Sequence, residues 1–476
     1  MQPEVGRRCA LAALSGLLLA ASFAPLRLGA LAWVALAPLF YAVTRAAGAR
    51  QAFLLGGLAG LAFYVPALHW MADTVHYLAV PFWLIFALWT ALHAALLRGL
   101  WSLLGAEDGR LRAGRALAWA AAAGLAWAGL EYFRSEVWAL RCPWLVLGYS
   151  QTFSPAFFQS LSVWGVYGLS ALIVAANAAW ALLPRRRPLW QPAAALALAA
   201  ALTWGWGSRR LASFPVDAGR PVKAALVQAE RADIKKLAAL SLRPEAAGAG
   251  LLVWPECSVY MPSEQSPGYL ALLRKELRKS RAEAVIGVCV NEDKARGIKR
   301  GNYTLHLAPR GGEVLGLYHK MHPVQFVETG LPSNRSPEPV ATPLGRLGAQ
   351  ICYDLAFEDG TRRVTEKGAE ILVTPTLDPL DWSLLQHEQH SDMSAARAVE
   401  SGLWLARAAS SGRSQVIDGL GRERASLESG AEGVLAAEAR LGPGGTFYTR
   451  LGWLFAPLAF ALTLAAAALV ILKKVI

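Results

Sequence analysis

The sequence of 476 residues has few charged side chains and few cysteines. Asp, Glu, Lys and Arg make up only 17% of it, against about 25% in soluble domains. Hydrophobic residues make up 55%, and there are 18 Trp. This composition excludes a disordered chain and argues against a protein that is soluble throughout. The formal net charge of +13 lies largely in short clusters between apolar runs, a placement that favours membrane orientation over a nucleic-acid partner.

Cysteine usage excludes the common cysteine-rich classes. Cys9, Cys142, Cys257, Cys289 and Cys352 form no CxxC pair and show no zinc-ligand spacing. An odd number without such a framework argues against a disulfide scaffold and leaves room for a free reactive thiol.

Histidine spacing does not indicate a metal either. His387 and His390 are three positions apart, whereas the helical His pair of zinc proteases is four apart. We therefore expect no metal and no cofactor, and we interpret His390 as a structural or pocket-lining residue.

Long apolar runs occupy residues 1–207 and return near the C-terminus. They cover residues 9–25, 29–44, 52–72, 80–97, 116–133, 161–183, 189–206 and 452–472. Because a spanning helix needs about 20 apolar residues, these runs predict a multi-pass membrane protein with about eight spans. The first run, which follows Arg7 and Arg8, could instead be a cleaved signal peptide.

Basic residues cluster in alternate connections between the runs. One set holds Arg7, Arg8, Arg45, Arg50, Arg98, Arg110, Arg112, Arg115, Arg185, Arg186, Arg187, Lys473 and Lys474, and the short connections of the other set hold only Arg27, Arg134 and Arg141. Since cytoplasmic connections are rich in Lys and Arg, the first set is predicted to be cytoplasmic. We thus expect a membrane domain of about seven spans (1–207), an extracytoplasmic domain (208–450) and a last span with a short tail (451–476). In a Gram-negative-type cell the extracytoplasmic side is the periplasm.

Residues 221–440 show the pattern of a different kind of domain. Short β-rich runs at 223–228, 250–254, 284–288, 347–351 and 370–373 alternate with helical periods, as at 268–280 and 391–402. Buried strands that alternate with helices predict an α/β sheet covered by helices.

Reactive side chains follow three apolar strand-like runs in this domain. The segments are Trp254-Pro255-Glu256, Tyr318-His319-Lys320 with Glu328 after it, and Ile351-Cys352-Tyr353-Asp354. A carboxylate for the proton, an ammonium for the oxyanion and a thiol nucleophile make a complete set for acyl transfer. Each residue alone more often has an ordinary structural role.

The order of these segments resembles the Glu-Lys-Cys triad of the nitrilase superfamily. The resemblance continues through Gly368–Val373, His390 and Ala396–Gly402. In the membrane part, Phe23-Ala-Pro25, Leu31-Ala-Trp33, Gly148-Tyr-Ser-Gln151 and Gly165–Ser170 are similar to the apolipoprotein N-acyltransferase branch.

The resemblance implies a multi-pass helical membrane protein of the bacterial inner membrane that carries a nitrilase-like αββα sandwich on the periplasmic side. It implies transfer of an acyl chain from a phospholipid to the α-amine of diacylglyceryl-cysteine on lipoproteins, through a thioester on Cys352. Glu256 would be the base, and Lys320 with the backbone N–H of Tyr353 would hold the oxyanion. Supporting roles would fall to Glu328, Asp354, Trp254 and His390.

Two departures from that branch concern the acceptor. Asp354 stands where the branch usually has Glu, and the stretch from Glu328 to Cys352 is short, so we expect a shortened loop that excludes water less well.

Two other functions stay open. One is a membrane-anchored amidase that uses water, and the other is a membrane binding or transport protein that has lost catalysis. Retention of all three triad residues argues against lost catalysis, and the clearest spans show no charged residue near their middle, which argues against transport.

Overall fold

The structure, a computed structural model, describes residues 2–105, 112–184, 190–263, 266–292 and 298–475. The chain divides into two compact units, one formed by Met1–Ala212 with Leu451–Ile476 and the other by Ser213–Arg450. Of the basic residues that predict orientation, Arg110 and Arg185–Arg187 lie outside the described residues.

The first unit is built from helices rich in Ala and Leu, which are strong helix formers. These are α1 (Gln2–Ala21), α2 (Ala32–Ala35), α3 (Ala37–Val43), α4 (Ala49–Ala67), α5 (Met71–Val75), α6 (Ala79–Leu103), α7 (Ala113–Tyr132), α8 (Pro155–Phe158), α9 (Leu161–Trp180), α10 (Trp190–Ser213) and, after the second unit, α16 (Phe455–Val475). Small residues let these helices approach closely. A side-chain carbon added at Gly16 of α1 would lie 2.3 Å from the carbonyl oxygen of Ala59 in α4.

The side chain of Asn177 in α9 forms hydrogen bonds with backbone groups at the junction between α2 and α3. Its Oδ1 accepts the N–H groups of Leu36 at 2.7 Å and Ala37 at 3.1 Å. Its Nδ2 donates to the carbonyl of Ala32 at 2.8 Å. Bilayer lipid offers backbone N–H and C=O groups no hydrogen-bond partner, so these groups must be paired within the protein. This buried Asn therefore has a structural role.

The part of the chain that the structure describes holds three helices long and apolar enough to cross a membrane. They are Met71–Leu103, Leu161–Trp180 and Gly452–Lys473, and Gly29–Val43 is a shorter apolar helix. About eight spans were expected, so the structure bears out only part of that prediction. The expected span 52–72 corresponds to α4, which contains Pro66 and ends at Ala67.

The second unit contains two β-sheets with helices around them. The strands are β1 (Arg220–Gln228), β2 (Leu251–Val253), β3 (Val259–Met261), β4 (Glu283–Val290), β5 (Gly301–Leu307), β6 (Val314–His319), β7 (Val340–Thr342), β8 (Gly345–Ala349), β9 (Ile371–Thr376), β10 (Leu405–Ala409), β11 (Ser414–Ile417), β12 (Glu423–Leu427) and β13 (Gly433–Leu441). The helices are α11 (Ile234–Ser241), α12 (Pro267–Leu277), α13 (Glu358–Glu366), α14 (Leu384–Ser401) and α15 (Phe447–Arg450).

Among the described residues, one sheet has seven strands in the order β13-β1-β2-β4-β5-β6, with β3 beside β4, and the other has six in the order β12-β11-β10-β9-β8-β7. The central pairs β1–β2, β2–β4, β8–β9 and β9–β10 are parallel. The reactive residues that follow β2 and β8 therefore lie at the carboxyl ends of parallel strands, which is where ligands bind in α/β sheets.

The two sheets pack face to face between two helical layers. Leu226 and Val253 of the first sheet belong to the same buried cluster as Val373 and Ala406 of the second. Alternate residues point the other way: Leu252 packs in a cluster with α11 and α12, and Leu372 in one with α13 and α14. Because successive side chains of a strand face opposite sides, this alternation produces a four-layer αββα sandwich.

Candidate active site

Glu256, Lys320 and Cys352 lie around one cavity of about 180 Å³, whose lining also includes Asn302 and Trp382. Each of the three follows the end of a strand, namely β2, β6 and β8. Pro255 lacks the N–H that a further ladder hydrogen bond would need. The three residues that the sequence singled out are thus brought together from distant parts of the second unit.

Lys320 is a buried cation held between two carboxylates. Its Nζ donates to Oε1 of Glu256 at 2.8 Å and lies 2.7 Å from Oε2 of Glu328, and its side chain is 1% exposed. Burial by itself lowers the pKa of Lys320, but Glu256, Cys352 and Glu328 outweigh burial and raise that pKa above its ordinary value. Lys320 is therefore a fixed positive charge, suited to hold an oxyanion rather than to act as a base.

Glu256 is oriented by three hydrogen-bond donors. Its Oε1 accepts from Lys320 and from Nδ2 of Asn302, the latter at 2.7 Å. Its Oε2 accepts the backbone N–H of Leu377 at 2.9 Å. A carboxylate fixed in this way is preorganised for proton transfer, since its direction is set before substrate arrives.

Glu328 forms an ion pair with Lys320 and accepts a hydrogen bond from the neutral amide of Asn302. Its Oε1 accepts from Nδ2 of Asn302 at 2.9 Å, and its Oε2 accepts the backbone N–H of Val324 at 2.7 Å. Burial raises the pKa of Glu328, but Lys320 more than offsets it and the pKa lies below the ordinary value. Glu328 is therefore an ionised carboxylate at the cavity.

Cys352 begins a short 3-10 turn, Cys352–Ala356, directly after the extended segment that follows β8. Its φ of +48° lies in the left-handed region, which costs a residue other than Gly roughly 1 kcal/mol or more. Burial, and then the carboxylates of Glu256 and Asp378, hold the pKa of the Cys352 thiol well above its ordinary value, with Lys320 opposing them. A thiol that stays protonated needs a nearby base before it can attack.

Asp354 holds that turn rather than lining the cavity. It is fully buried. Its Oδ2 accepts the N–H of Ile351 at 2.9 Å and the hydroxyl of Tyr318 at 3.0 Å, and its Oδ1 accepts the N–H groups of Met321 at 3.0 Å and His322 at 2.6 Å. Burial raises the pKa of Asp354 above its ordinary value.

Trp254 and Tyr353 are likewise not among the residues that line the cavity. Trp254 is fully buried in the cluster that packs against α11 and α12, and its Nε1 donates to Oγ of Ser241 at 2.8 Å. The half-buried ring of Tyr353 packs edge-on against Phe357 with ring centroids 5.0 Å apart. Neither side chain is placed to bind a substrate in this cavity, although the backbone of Tyr353 adjoins Cys352.

His390 belongs to a buried charged group behind the thiol. Its Nδ1 lies 2.8 Å from Oδ1 of Asp378, and Nη2 of Arg407 lies 2.5 Å from Oδ2 of Asp378. Burial raises the pKa of Asp378, but His390 and Arg407 outweigh burial and hold it below its usual range. Asp378 and Arg407 were not identified from the sequence, since neither stands in a recognisable motif.

Metal-binding atoms do come close together here. One ligand atom each from Cys352, Asp378 and His390 lie within 4.8 Å of one another. The guanidinium of Arg407 already neutralises Asp378, and a cation beside it would be repelled. We therefore assign no metal to this group.

The cysteine count argued against a disulfide scaffold, but it did not predict the single disulfide that Cys257 and Cys289 form. Cys9, Cys142 and Cys352 do not take part in that disulfide. The paired residues are separated by 32 positions, so no short spacing motif indicates the bond.

The αββα sandwich is that of a nitrilase-like domain, and residues 223–444 match the carbon-nitrogen hydrolase family. Residues 15–179 match the apolipoprotein N-acyltransferase N-terminal domain. The apolipoprotein N-acyltransferase of Geobacter metallireducens is 31% identical over 94% of this chain and 92% of its own. That of Gloeobacter violaceus is 31% identical over 92% of this chain and 89% of its own. The chain belongs to the apolipoprotein N-acyltransferase family, and it is a membrane protein of the nitrilase superfamily.

Among solved structures, a carbon-nitrogen hydrolase from Helicobacter pylori is 21% identical, with a TM-score of 0.39 over 46% of this chain and 89% of that chain.

Proposed function

We propose that this protein transfers an acyl chain from a membrane phospholipid to the α-amine of the N-terminal diacylglyceryl-cysteine of lipoproteins, with a thioester on Cys352 as the intermediate. The observation that carries the proposal is the buried group of Glu256, Lys320 and Cys352 around one cavity. Family membership supports the proposal that lipoproteins are the acyl acceptors, because full-length relatives bear the name apolipoprotein N-acyltransferase.

In the first half-reaction Glu256 takes the proton from Sγ of Cys352, and the thiolate attacks the ester carbonyl of the phospholipid. Lys320 and the backbone N–H of Tyr353 stabilise the oxyanion. The ester C–O bond then breaks, Glu256 gives its proton to the leaving oxygen, and lysophospholipid departs. The thiol with a raised pKa beside an oriented carboxylate supports this order of events.

In the second half-reaction the lipoprotein amine attacks the thioester carbonyl. Glu256 takes a proton from the amine and returns it to the departing sulfur, so that the amide forms and Cys352 is regenerated. Glu328 lines the same cavity and is already ionised, and it orients Lys320 and the incoming amine. Because both substrates are lipids, a site tethered to the bilayer meets them at high local concentration.

We infer that about eight spans place residues 208–450 on the periplasmic side of the inner membrane. The distribution of Lys and Arg supports this orientation. The Cys257–Cys289 disulfide supports it independently, since such bonds persist in oxidising compartments. Alkaline phosphatase fused near Gly330 should be active, whereas activity of a cytoplasm-only reporter at the same position would overturn the inference.

A transfer assay with the full-length protein tests the function. Purified protein is mixed with phospholipid vesicles and a diacylglyceryl-cysteine peptide, and N-acylated peptide, lysophospholipid and free fatty acid are measured by mass spectrometry. We expect acylated peptide and lysophospholipid, with free fatty acid from hydrolysis of the thioester accounting for any excess of lysophospholipid. Cys352→Ala should abolish both, and Cys9→Ala should retain both. Free fatty acid without acylated peptide would indicate a hydrolase. If none of the three products formed, the protein would be a binding or transport protein.

A further inference from the structure

The Cys257–Cys289 disulfide adjoins the carboxylate that the proposed function uses as its base. Cys257 directly follows Glu256, and both cysteines line the same cavity as Glu256. Cys257 also has a φ of +50°, in the left-handed region that disfavours residues other than Gly. A backbone conformation of this kind persists when the surrounding structure holds it.

The turn that carries Glu256 is pressed onto β4 at Gly287. A side-chain carbon added at Gly287 would lie 2.1 Å from the carbonyl oxygen of Pro255 and 2.5 Å from Cα of Glu256. Oγ of Ser258 donates to the carbonyl of Gly287 at 3.1 Å. Close packing, a hydrogen bond and a covalent bond thus attach one turn to one strand.

The covalent attachment lies beside the hydrogen-bond donor of Glu256. Cys289 of β4 is opposite Asn302 of β5 in the antiparallel ladder. Asn302 donates through Nδ2 to both Glu256 and Glu328. The disulfide therefore ties the turn that presents the base to the strand pair that presents its partner.

We propose that the Cys257–Cys289 disulfide is a positioning element that holds Glu256 against Lys320 and Cys352, so that full reactivity of the site requires the oxidised form. The inference rests on the proposed role of Glu256. To form the bond, the two thiols together lose two protons and two electrons to a disulfide-containing oxidant, which is reduced to two thiols. Cys352 takes no part in this disulfide.

The test compares full-length wild type, Cys257→Ser/Cys289→Ser and Cys9→Ser in detergent micelles, at a temperature below the unfolding transition of each. Peptide mass spectrometry first counts the thiols that are alkylated before and after reduction. The rate at which iodoacetamide alkylates Cys352 is then measured, in both the native and the Glu256→Gln background. This readout needs neither phospholipid nor lipoprotein, so a failure of the inference is distinguishable from a failure of the transfer assay.

We expect Cys257 and Cys289 to be alkylated only after reduction. The double Ser variant should lower the alkylation rate of Cys352 by about threefold or more, because small displacements of positioned groups have large effects on reactivity. The change should be lost in the Glu256→Gln background, and Cys9→Ser should match wild type. Free thiols in the untreated protein, an unchanged or higher rate in the double variant, or an equal change in both backgrounds would each overturn the proposal. Wild type treated with a phosphine reductant should behave like the double variant and recover with oxidised glutathione.

Discussion

Asp354 accepts the backbone N–H of His322 at 2.6 Å, so one buried carboxylate joins the turn that begins with Cys352 to the segment that follows Lys320. The position of Cys352 relative to Lys320 is therefore set by a residue outside the cavity. This geometry assigns Asp354 a role in both half-reactions, whereas its sequence position had suggested an effect on the acceptor alone.

Asp354→Glu should slow thioester formation and acyl transfer together, by about tenfold or more. The extra methylene enters a fully buried position, and such overpacking typically costs about 1–3 kcal/mol. Single-turnover release of lysophospholipid and acylation of the peptide measure the two steps. Asp217→Glu, on an exposed carboxylate, is the control. If only the acylation of the peptide slowed, Asp354 would act on the acceptor and this interpretation would be wrong.

The sequence singled out Glu256, Lys320 and Cys352 because each follows a strand-like apolar run and their order resembles the Glu-Lys-Cys triad, and the structure places all three around one cavity. Runs ending before Glu256 and Cys352 correspond to β2 and β8, and a short continuous apolar run is typical of a fully buried strand. Asn302 and Arg407 could not be found in this way, because each lies within a strand and stands in no recognisable motif. Their importance comes from Glu256 and Asp378, which only the folded chain brings near.

The number of spans was harder to predict for a related reason. Hydropathy reflects only the local composition of a segment. The helix break between α2 and α3, in contrast, depends on Asn177, which is distant in sequence. Long-range contacts also decide the disulfide, since Cys257 and Cys289 meet only because the turn after β2 packs on β4.

Glu328→Gln should reduce kcat by roughly tenfold to a hundredfold, with a smaller effect on the KM for phospholipid. The substitution keeps the shape but removes one of the two negative charges that flank Lys320, and preorganised charges of this kind act mainly in the transition state. Steady-state kinetics measures the effect on kcat and the effect on KM separately. Glu338→Gln, which removes an exposed partner of Lys367, should leave both constants unchanged. Wild-type kinetics for Glu328→Gln would exclude a role for this carboxylate.

The alkylation of Cys352 by iodoacetamide should keep rising with pH beyond the point where glutathione levels off. The pKa of this thiol is raised, and since only the thiolate reacts, its reactive form appears at higher pH. Lys320→Met should move the profile further to alkaline pH, because the ammonium stabilises the thiolate. Rates followed by peptide mass spectrometry across pH test both shifts. A plateau at neutral pH, or a move toward acid in Lys320→Met, would contradict the electrostatic description.

Arg407→Met should destabilise the second unit by about 3–5 kcal/mol, since it leaves Asp378 as an uncompensated buried charge. Thermal unfolding of the full-length protein measures the loss. The matched control is Arg231→Met, which breaks an exposed pair with Asp381 and should cost at most about 1 kcal/mol. Equal effects of the two substitutions would show that the buried pair has no special role in stability.

The central claim, a thioester on Cys352, is tested most directly by intact-protein and peptide mass spectrometry of the full-length protein after incubation with phospholipid alone. We predict the mass of one acyl chain on the peptide that contains Cys352, which disappears when diacylglyceryl-cysteine peptide is added and never forms in Cys352→Ala. Transfer of the acyl chain to the acceptor by Cys352→Ala, or by wild type that never carries the adduct, would contradict the account.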